Sequence, residues 1–547
     1  MASPLFRTKP LSLLLEEMQG ENRLRRILGP AQLTALGVGA IIGTGIFILT
    51  GVAAHDRTGP ALMLSFVLAG IACVFAALCY AEFASMVPVA GSAYTYAYAT
   101  LGELFAWIIG WDLILEYAVG SATVAHGWSA HFQEFIPIFH EGIAAIPAKL
   151  PDVIRQTPFN YCVSVGMGCP HTGFVSTGAY FDLPAILITF ILTVVLVKGI
   201  RESATFNAIM VAVKLVIVLM VIGIGIFYIN TANWHPFAPY GYTGVSFFGK
   251  NVLGDFTGPG GEPLGMFAGA AIIFFAYIGF DSVSVHSEEA KNPAKDVPIG
   301  IITSLIVCTI LYIAVSAVLT GMVPTKEIDI NAPVVEAFKR AGVTWMQYLV
   351  AFGAMTGITS VLLVMMLSQP RVMLALARDG LVPKGFFGDI HPKFRTPWKS
   401  TILTGLFVAS MAGFIPLSIL AEMTSIGTLF AFVIVCGAVL VMRRTNPNAN
   451  RPFRAPFVPV VPILGILTCL LLMFSLPYEN WVRLIIWLVI GLVIYFAYGR
   501  RHSVMSHEAA HTRHEISTHG VSPAGQAVGD PDAPPSSPAA PVSTDAD

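Results

Sequence analysis

Charge is what this sequence has least of. Only 12% of its 547 residues are Asp, Glu, Lys or Arg, against about 25% in an ordinary soluble domain. The net charge is −1, so bulk charge points to no nucleic-acid partner. No P-loop is present, which removes direct ATP drive, and no HExxH, CxxC or nucleophile elbow points to an enzyme. The seven cysteines show no metal-ligand spacing, nor do His131, His140 and His171, so neither a metal nor another cofactor is expected. The N-terminal apolar run, Leu11 to Leu15, is only five residues long. That is too short for a signal-peptide core, so the first full span serves as the insertion signal.

Apolar length is what the sequence has instead. It is 55% hydrophobic, its mean hydropathy is +0.73, and runs near 20 residues recur. Lipid offers backbone groups no partners, so such runs are helices. The expected fold is an all-α polytopic membrane protein with twelve spans, near 34–55, 61–82, 96–126, 181–199, 203–229, 264–286, 298–322, 343–378, 400–416, 418–442, 457–476 and 481–499. Residues 1–33 precede them, 127–180 form a long loop, and the Ala-, Pro-, Ser- and Asp-rich tail 502–547 reads as disordered.

Lys and Arg set the orientation. With the N-terminus inside, 22 of them fall in cytoplasmic segments and 8 in outer ones. Both termini are therefore expected in the cytoplasm, in a cell-membrane protein. Cys162 and Cys169 then lie in the outer loop "NYCVSVGMGCPH". Two free thiols or a local disulfide both fit, and an oxidising exterior favours the disulfide.

Two spans carry weak points. The first reads "GVGAIIGTGIFILTG", interrupted at Gly43-Thr44-Gly45, and the sixth reads "GAAIIFFAYIGFDSVSVHSEEAKNP", interrupted at Gly279-Phe280-Asp281-Ser282. Small-xxx-small helix packing explains one such feature. Two, five spans apart, suggest inverted five-helix repeats over 34–229 and 264–442, followed by two further helices over 457–499. The first span runs outward, so N–H groups of Gly43, Thr44 and Gly45 gather at its break and suit a carboxylate. The sixth runs inward and leaves carbonyls near Phe275, Ala276 and Ile278, which with Ile41 suit an ammonium. A ligand carrying both groups is an α-amino acid. Asp281 is placed to N-cap the inner half of the sixth span, a role that can coexist with one in proton coupling.

"GVGAIIGTGIFILTG", "FFAYIGFDSVSVHSEEAKNPAKDVPIGI" and "PRVMLALARDGLVPKGF" resemble the amino acid–polyamine–organocation superfamily over roughly residues 25–500. The cationic amino acid transporter branch matches best, and twelve spans look like a bacterial member. The resemblance implies the LeuT-type fold, backbone recognition of an amino acid at the two breaks, and Phe275 as a lid over the substrate. Proton-driven members are similar in carrying a lysine on the fifth span that fills the place of a sodium ion. Here that residue is Lys214, in "IMVAVKLVIVLM". A midplane ammonium costs roughly 2.5–3.5 kcal/mol or more unless satisfied. The resemblance also implies that Glu116, on the third span, faces the substrate side chain or shares the coupling proton. It places Met365, on the eighth, in the side-chain pocket, where a bulky residue argues for neutral side chains over arginine, with cationic substrates kept open. The expected partners are an amino acid, protons and the bilayer. An amino acid exchanger and a non-transporting sensor remain alternatives.

Overall fold

The computed structural model describes residues 4–10, 13–14, 26–43, 45–89, 91–142, 149–162, 173–258, 263–329 and 332–505. Thr44, Cys169, His171 and the side chains of Cys162 and His140 lie outside the described residues, so the expected disulfide and one of the three carboxylate-binding positions do too.

The chain is predominantly helical. Among the described residues, eight helices are long and apolar enough to cross a membrane, and Pro30–Ile41, Leu183–Lys198 and Val460–Ser475 are shorter apolar helices. A further helix covers Trp398–Phe414. The starts follow local chemistry. Pro30 and Pro293 occupy first-turn positions, where a missing N–H costs nothing. Asp182 caps Leu183–Lys198 by accepting from the Ala185 N–H at 3.1 Å.

The third apolar stretch departs from its expected bounds of 96–126. Ala93–Thr100 is a separate short helix, and the long one begins at Glu103 and continues past residue 126. Gly102, at φ 98°, makes the break. A Cβ there would stand 2.6 Å from the Phe6 carbonyl carbon, so the N-terminal segment passes where only glycine leaves room. Apolar residues on both sides hide this from hydropathy.

Helix Pro293–Met322 packs along Leu62–Met86 and Pro30–Ile41, and Thr344–Arg378 packs along Gly120–Gly142 and Ile200–Gly225. Thr344–Arg378 is almost wholly enclosed, whereas Tyr478–His502 is mostly exposed. Exposed side chains on the outer helices are apolar, among them Ile191, Val194, Leu219, Ile310, Leu467 and Val493. Glu116, Asp281, Lys214 and Ser360 are fully buried. An apolar exterior around a polar centre is the arrangement a bilayer demands.

The end of the bundle that carries both described termini is closed by buried and partly buried ion pairs. Arg371 Nη2 donates to Glu289 Oε1 at 2.8 Å, Arg443 Nη2 to Glu82 Oε2 at 2.7 Å, and Lys9 Nζ to Asp379 Oδ1 at 2.5 Å. His502–Met505, expected to be disordered with the rest of the tail, are placed: Ser503 Oγ donates to Glu103 Oε2 at 2.5 Å, and the Val504 N–H to the Asp379 carbonyl at 3.1 Å. The opposite end bears two small hairpins, Phe159–Cys162 with Gly173–Ser176 and Val245–Phe247 with Lys250–Leu253.

Candidate functional site

Both expected breaks are present. Helix Pro30–Ile41 stops at Ile42, whose ψ of 103° leaves the helical region, and winding resumes at Gly45. In the sixth stretch, Met266–Ile273 tightens through Phe274–Tyr277, opens at Ile278 (ψ 133°), and resumes at Ser282–Val285.

Glycine lets the two breaks touch. A Cβ on Gly45 would lie 2.4 Å from the Ala276 Cβ. Gly279, at φ 121°, would place one 2.8 Å from the Ala40 carbonyl oxygen. The first turn after a break has no preceding turn to pair with, so N–H groups at Gly45 and the residues after it face the crossing. Across from them stand the carbonyls of Ile41 and Ala276. Tyr312 Oη lies 2.8 Å from each of these oxygens. One hydroxyl has one hydrogen, so it bonds one carbonyl at a time, and each oxygen keeps a second lone pair. The Phe275 carbonyl accepts the Ile278 N–H at 3.2 Å. Phe275 itself is half-buried, on the wall of a cavity.

Lys214 reaches this region from Ile200–Gly225. Its Nζ donates to the Gly39 carbonyl at 3.1 Å, the Ile42 carbonyl at 2.7 Å and Ser360 Oγ at 2.6 Å. An ammonium has three donors, and all three are used. Ser360 Oγ also lies 3.0 Å from the Gly39 oxygen and 2.8 Å from that of Gly357. Lys214 thus ties the end of the first half-helix to Thr344–Arg378.

Glu116 sits where the third long helix winds wide, over Leu115–Val119. Both of its carboxyl oxygens are buried without a hydrogen-bond partner among the described residues, as is Oδ1 of Asp281. Asp281 occupies the N-cap position of Ser282–Val285, but its side chain makes no capping bond; Oδ2 instead accepts from Tyr117 Oη. This corrects the capping expectation: the carboxylate faces the third helix rather than its own. Buried carboxyl oxygens left without partners need a proton or a cation beside them. Met365 is buried one turn along, its Sδ 3.4 Å from where a Cβ on Gly120 would stand.

The sequence reading missed Ser360, Tyr312 and Tyr117. A polar residue in the middle of an apolar run was available as a signal for all three, but serine and tyrosine are common there. Among the described residues, no group of three or more His, Cys, Asp and Glu side chains is arranged to hold a metal.

The amino acid permease family model matches residues 28–497. The chain belongs to the amino acid permease family. It is similar to a branched-chain amino acid permease, BcaP, of Bacillus subtilis: 45% identical over 92% of this chain and 100% of the relative. A methylthioribose transporter of the same organism is 44% identical over the same shares. A vacuolar cationic amino acid transporter of Arabidopsis thaliana is 38% identical over 82% of this chain and 68% of the relative. This permease is therefore a multi-pass membrane transporter of the amino acid–polyamine–organocation superfamily, not an enzyme.

Proposed function

We propose that this permease imports a neutral L-α-amino acid across the cell membrane by alternating access, driven by protons through Lys214. Both termini are cytoplasmic. The frame is LeuT-type: twelve helices, with inverted five-helix repeats over 34–229 and 264–442. The substrate carboxylate meets N–H groups at Gly43, Thr44 and Gly45. Its ammonium meets carbonyl oxygens at Ile41, Phe275, Ala276 and Ile278. Phe275 closes over it.

The observation that carries this reading is the Lys214 ammonium, held by the Gly39 and Ile42 carbonyls on one side and Ser360 on the other. Charged, it ties the inner half of the first span to the eighth. Neutral, it donates fewer and weaker bonds, and the half-helix is released. Glu116 and Asp281 accept the second role in proton movement, and Glu116 with Met365 shapes the side-chain pocket. Met365 and the similarity to a permease named for branched-chain substrates both favour an apolar side chain.

The test is uptake into proteoliposomes under imposed proton or sodium gradients. The panel takes in leucine, valine, methionine, arginine and, because one relative is named for it, methylthioribose. A proton gradient should accelerate apolar amino acid uptake and a sodium gradient should not. Lys214→Ala retaining full pH-dependent uptake would overturn the coupling role. Counterflow without net uptake would make the protein an exchanger.

A further inference from the structure

In the half of the bundle away from the described termini, His126 of helix Gly120–Gly142 is buried between three elements. Its Nε2 lies 2.9 Å from the Ile415 carbonyl oxygen, and its Nδ1 lies 3.0 Å from Asp182 Oδ2. A carbonyl only accepts, so Nε2 carries a hydrogen. Asp182 is placed to be a carboxylate. Its Oδ1 accepts from the Ser129 hydroxyl at 2.6 Å and from the Ala185 N–H at 3.1 Å, at a helix start, where negative charge is favoured. Nδ1 therefore carries a hydrogen as well. With one on each nitrogen, the ring is an imidazolium. Removing either proton leaves a lone pair turned toward an acceptor.

What the ring holds is a turn. Ile415 lies between Trp398–Phe414 and Leu417–Thr445. The Asp182 N–H donates to the Gly413 carbonyl of the same turn, at 3.1 Å. Leu417–Thr445 walls a cavity of about 360 Å³ beyond Phe275, through Leu417 and Ala421. Thr123 and Gly127, on either side of His126, line it too. The turn thus sets how the start of that helix stands over the cavity.

Gly120–Gly142 packs against Leu183–Lys198, Thr344–Arg378, Trp398–Phe414 and Leu417–Thr445. Toward this end, and among the described residues, the first brings Asp182 at its cap, the second Tyr348, the third no titratable group, and the fourth Glu422. Glu422 is answered by Arg483 at 2.6 Å, beside the buried Asn480, whose amide Nδ2 has no partner among the described residues. His131, five residues on, donates from Nδ1 to the Gly127 carbonyl at 3.0 Å. Arg155 is paired with Asp152 at 2.9 Å. Of these groups, Asp182 is the one that touches the His126 ring.

We propose that His126 is a positioning residue worked by protons. Charged, it pins the Ile415 turn to the third long helix and to Asp182. Neutral, it lets the turn and the cavity wall behind it move. Acid on this face therefore favours the form described here, closed at the end that carries the termini and hollow beyond Phe275. That this face is the outer one rests on the reading above; the chemistry of the clasp does not. Lys214 is no part of it, since its three donors are spent on Gly39, Ile42 and Ser360.

The test is amide hydrogen exchange at Asp182 and from Ile415 to Leu420, in the purified full chain in lipid nanodiscs. The pH runs from about 5 to 8, where histidine changes charge. After correction for the intrinsic pH dependence of exchange, wild type should lose about tenfold in protection toward the upper end, as local opening becomes easier. His126→Leu should be poorly protected throughout. Asp182→Asn should be well protected throughout: its amide donates to Nδ1, a neutral ring keeps its Nε2 hydrogen on Ile415, and asparagine still caps the helix. Both should elute as wild type does on size exclusion. A merely structural histidine gives no such opposition between the two variants. Lys214→Ala should keep the wild-type profile. A flat wild-type profile overturns the proposal, as does a wild-type profile in either His126→Leu or Asp182→Asn, or its loss in Lys214→Ala. The expected profiles together with uptake indifferent to a proton gradient would refute the coupling reading and leave the clasp standing.

Discussion

Gly45 and Ala276 meet so closely that a Cβ on the glycine would lie 2.4 Å from the Ala276 Cβ and 2.6 Å from its Cα. The second contact is backbone, which no rotamer change relieves. Two interrupted helices therefore cross at a distance only glycine permits.

Gly45→Ala should force the crossing apart. Overpacking of this kind costs about 1–3 kcal/mol. Uptake should fall to background and the unfolding midpoint in detergent should drop. A variant with wild-type uptake and midpoint would show that the crossing is not as tight as described.

Ser360→Ala removes one of three acceptors from the Lys214 ammonium. Charge-assisted bonds of this kind contribute about 1.5–3 kcal/mol. The pH profile of uptake should move. Ser368→Ala is the control: among the described residues that hydroxyl bonds only the Val364 carbonyl of its own helix, at 2.9 Å, and its removal should leave the profile in place. Equal profiles for the two variants would argue against a link between Ser360 and proton coupling.

Tyr312→Phe deletes the hydroxyl between the Ile41 and Ala276 carbonyls. Losing it leaves buried acceptors short of a donor, at about 1–3 kcal/mol. Leucine uptake should show a raised KM, because those carbonyls are the ones assigned to the substrate ammonium. An unchanged KM would move the ammonium site elsewhere.

Arg371→Met should be among the most destabilising changes in the chain. It strands Glu289 as an uncompensated buried carboxylate, which typically costs 3–5 kcal/mol. Glu289→Gln together with Arg371→Met should recover much of the loss. Thermal unfolding of the two single variants and the double variant checks this, and a double variant no better than Arg371→Met alone would contradict it.

Asp389 pairs with Lys399 at 2.8 Å on the exposed surface. The Lys399 hydrogen bond holds its carboxyl below the usual carboxylate range. A lowered folded value makes the contribution present above about pH 3.9, the unfolded value, and lost as pH falls through the lowered one. Screening keeps it to about 1 kcal/mol or less. Asp389→Asn should thus leave the unfolding midpoint at pH 7 within a degree or two, and a large drop would mean Asp389 does more than pair.

The two interruptions were legible because glycine-broken runs recur five spans apart and the second carries an aspartate, costly in lipid, and Lys214 was legible for that same cost. What stayed hidden came from tertiary packing. Tyr312 and Ser360 belong to unremarkable apolar stretches and gain meaning only when another helix's carbonyls arrive beside them. The stop at Gly102 was hidden because hydropathy on both sides is equally high. Asn480, in the first turn of the last helix, carried no sequence signal; its unanswered amide exists only in three dimensions.

The partners of Lys214 on the first span, Gly39 and Ile42, both precede its break, and none of its bonds reaches the segment from Gly45 onward. That later segment is wedged instead against Ala276 of the other interrupted helix. One helix in sequence is thus two levers in mechanics, with a joint at Gly43. The bonds of Lys214 hold one lever, and the crossing with Ala276 holds the other.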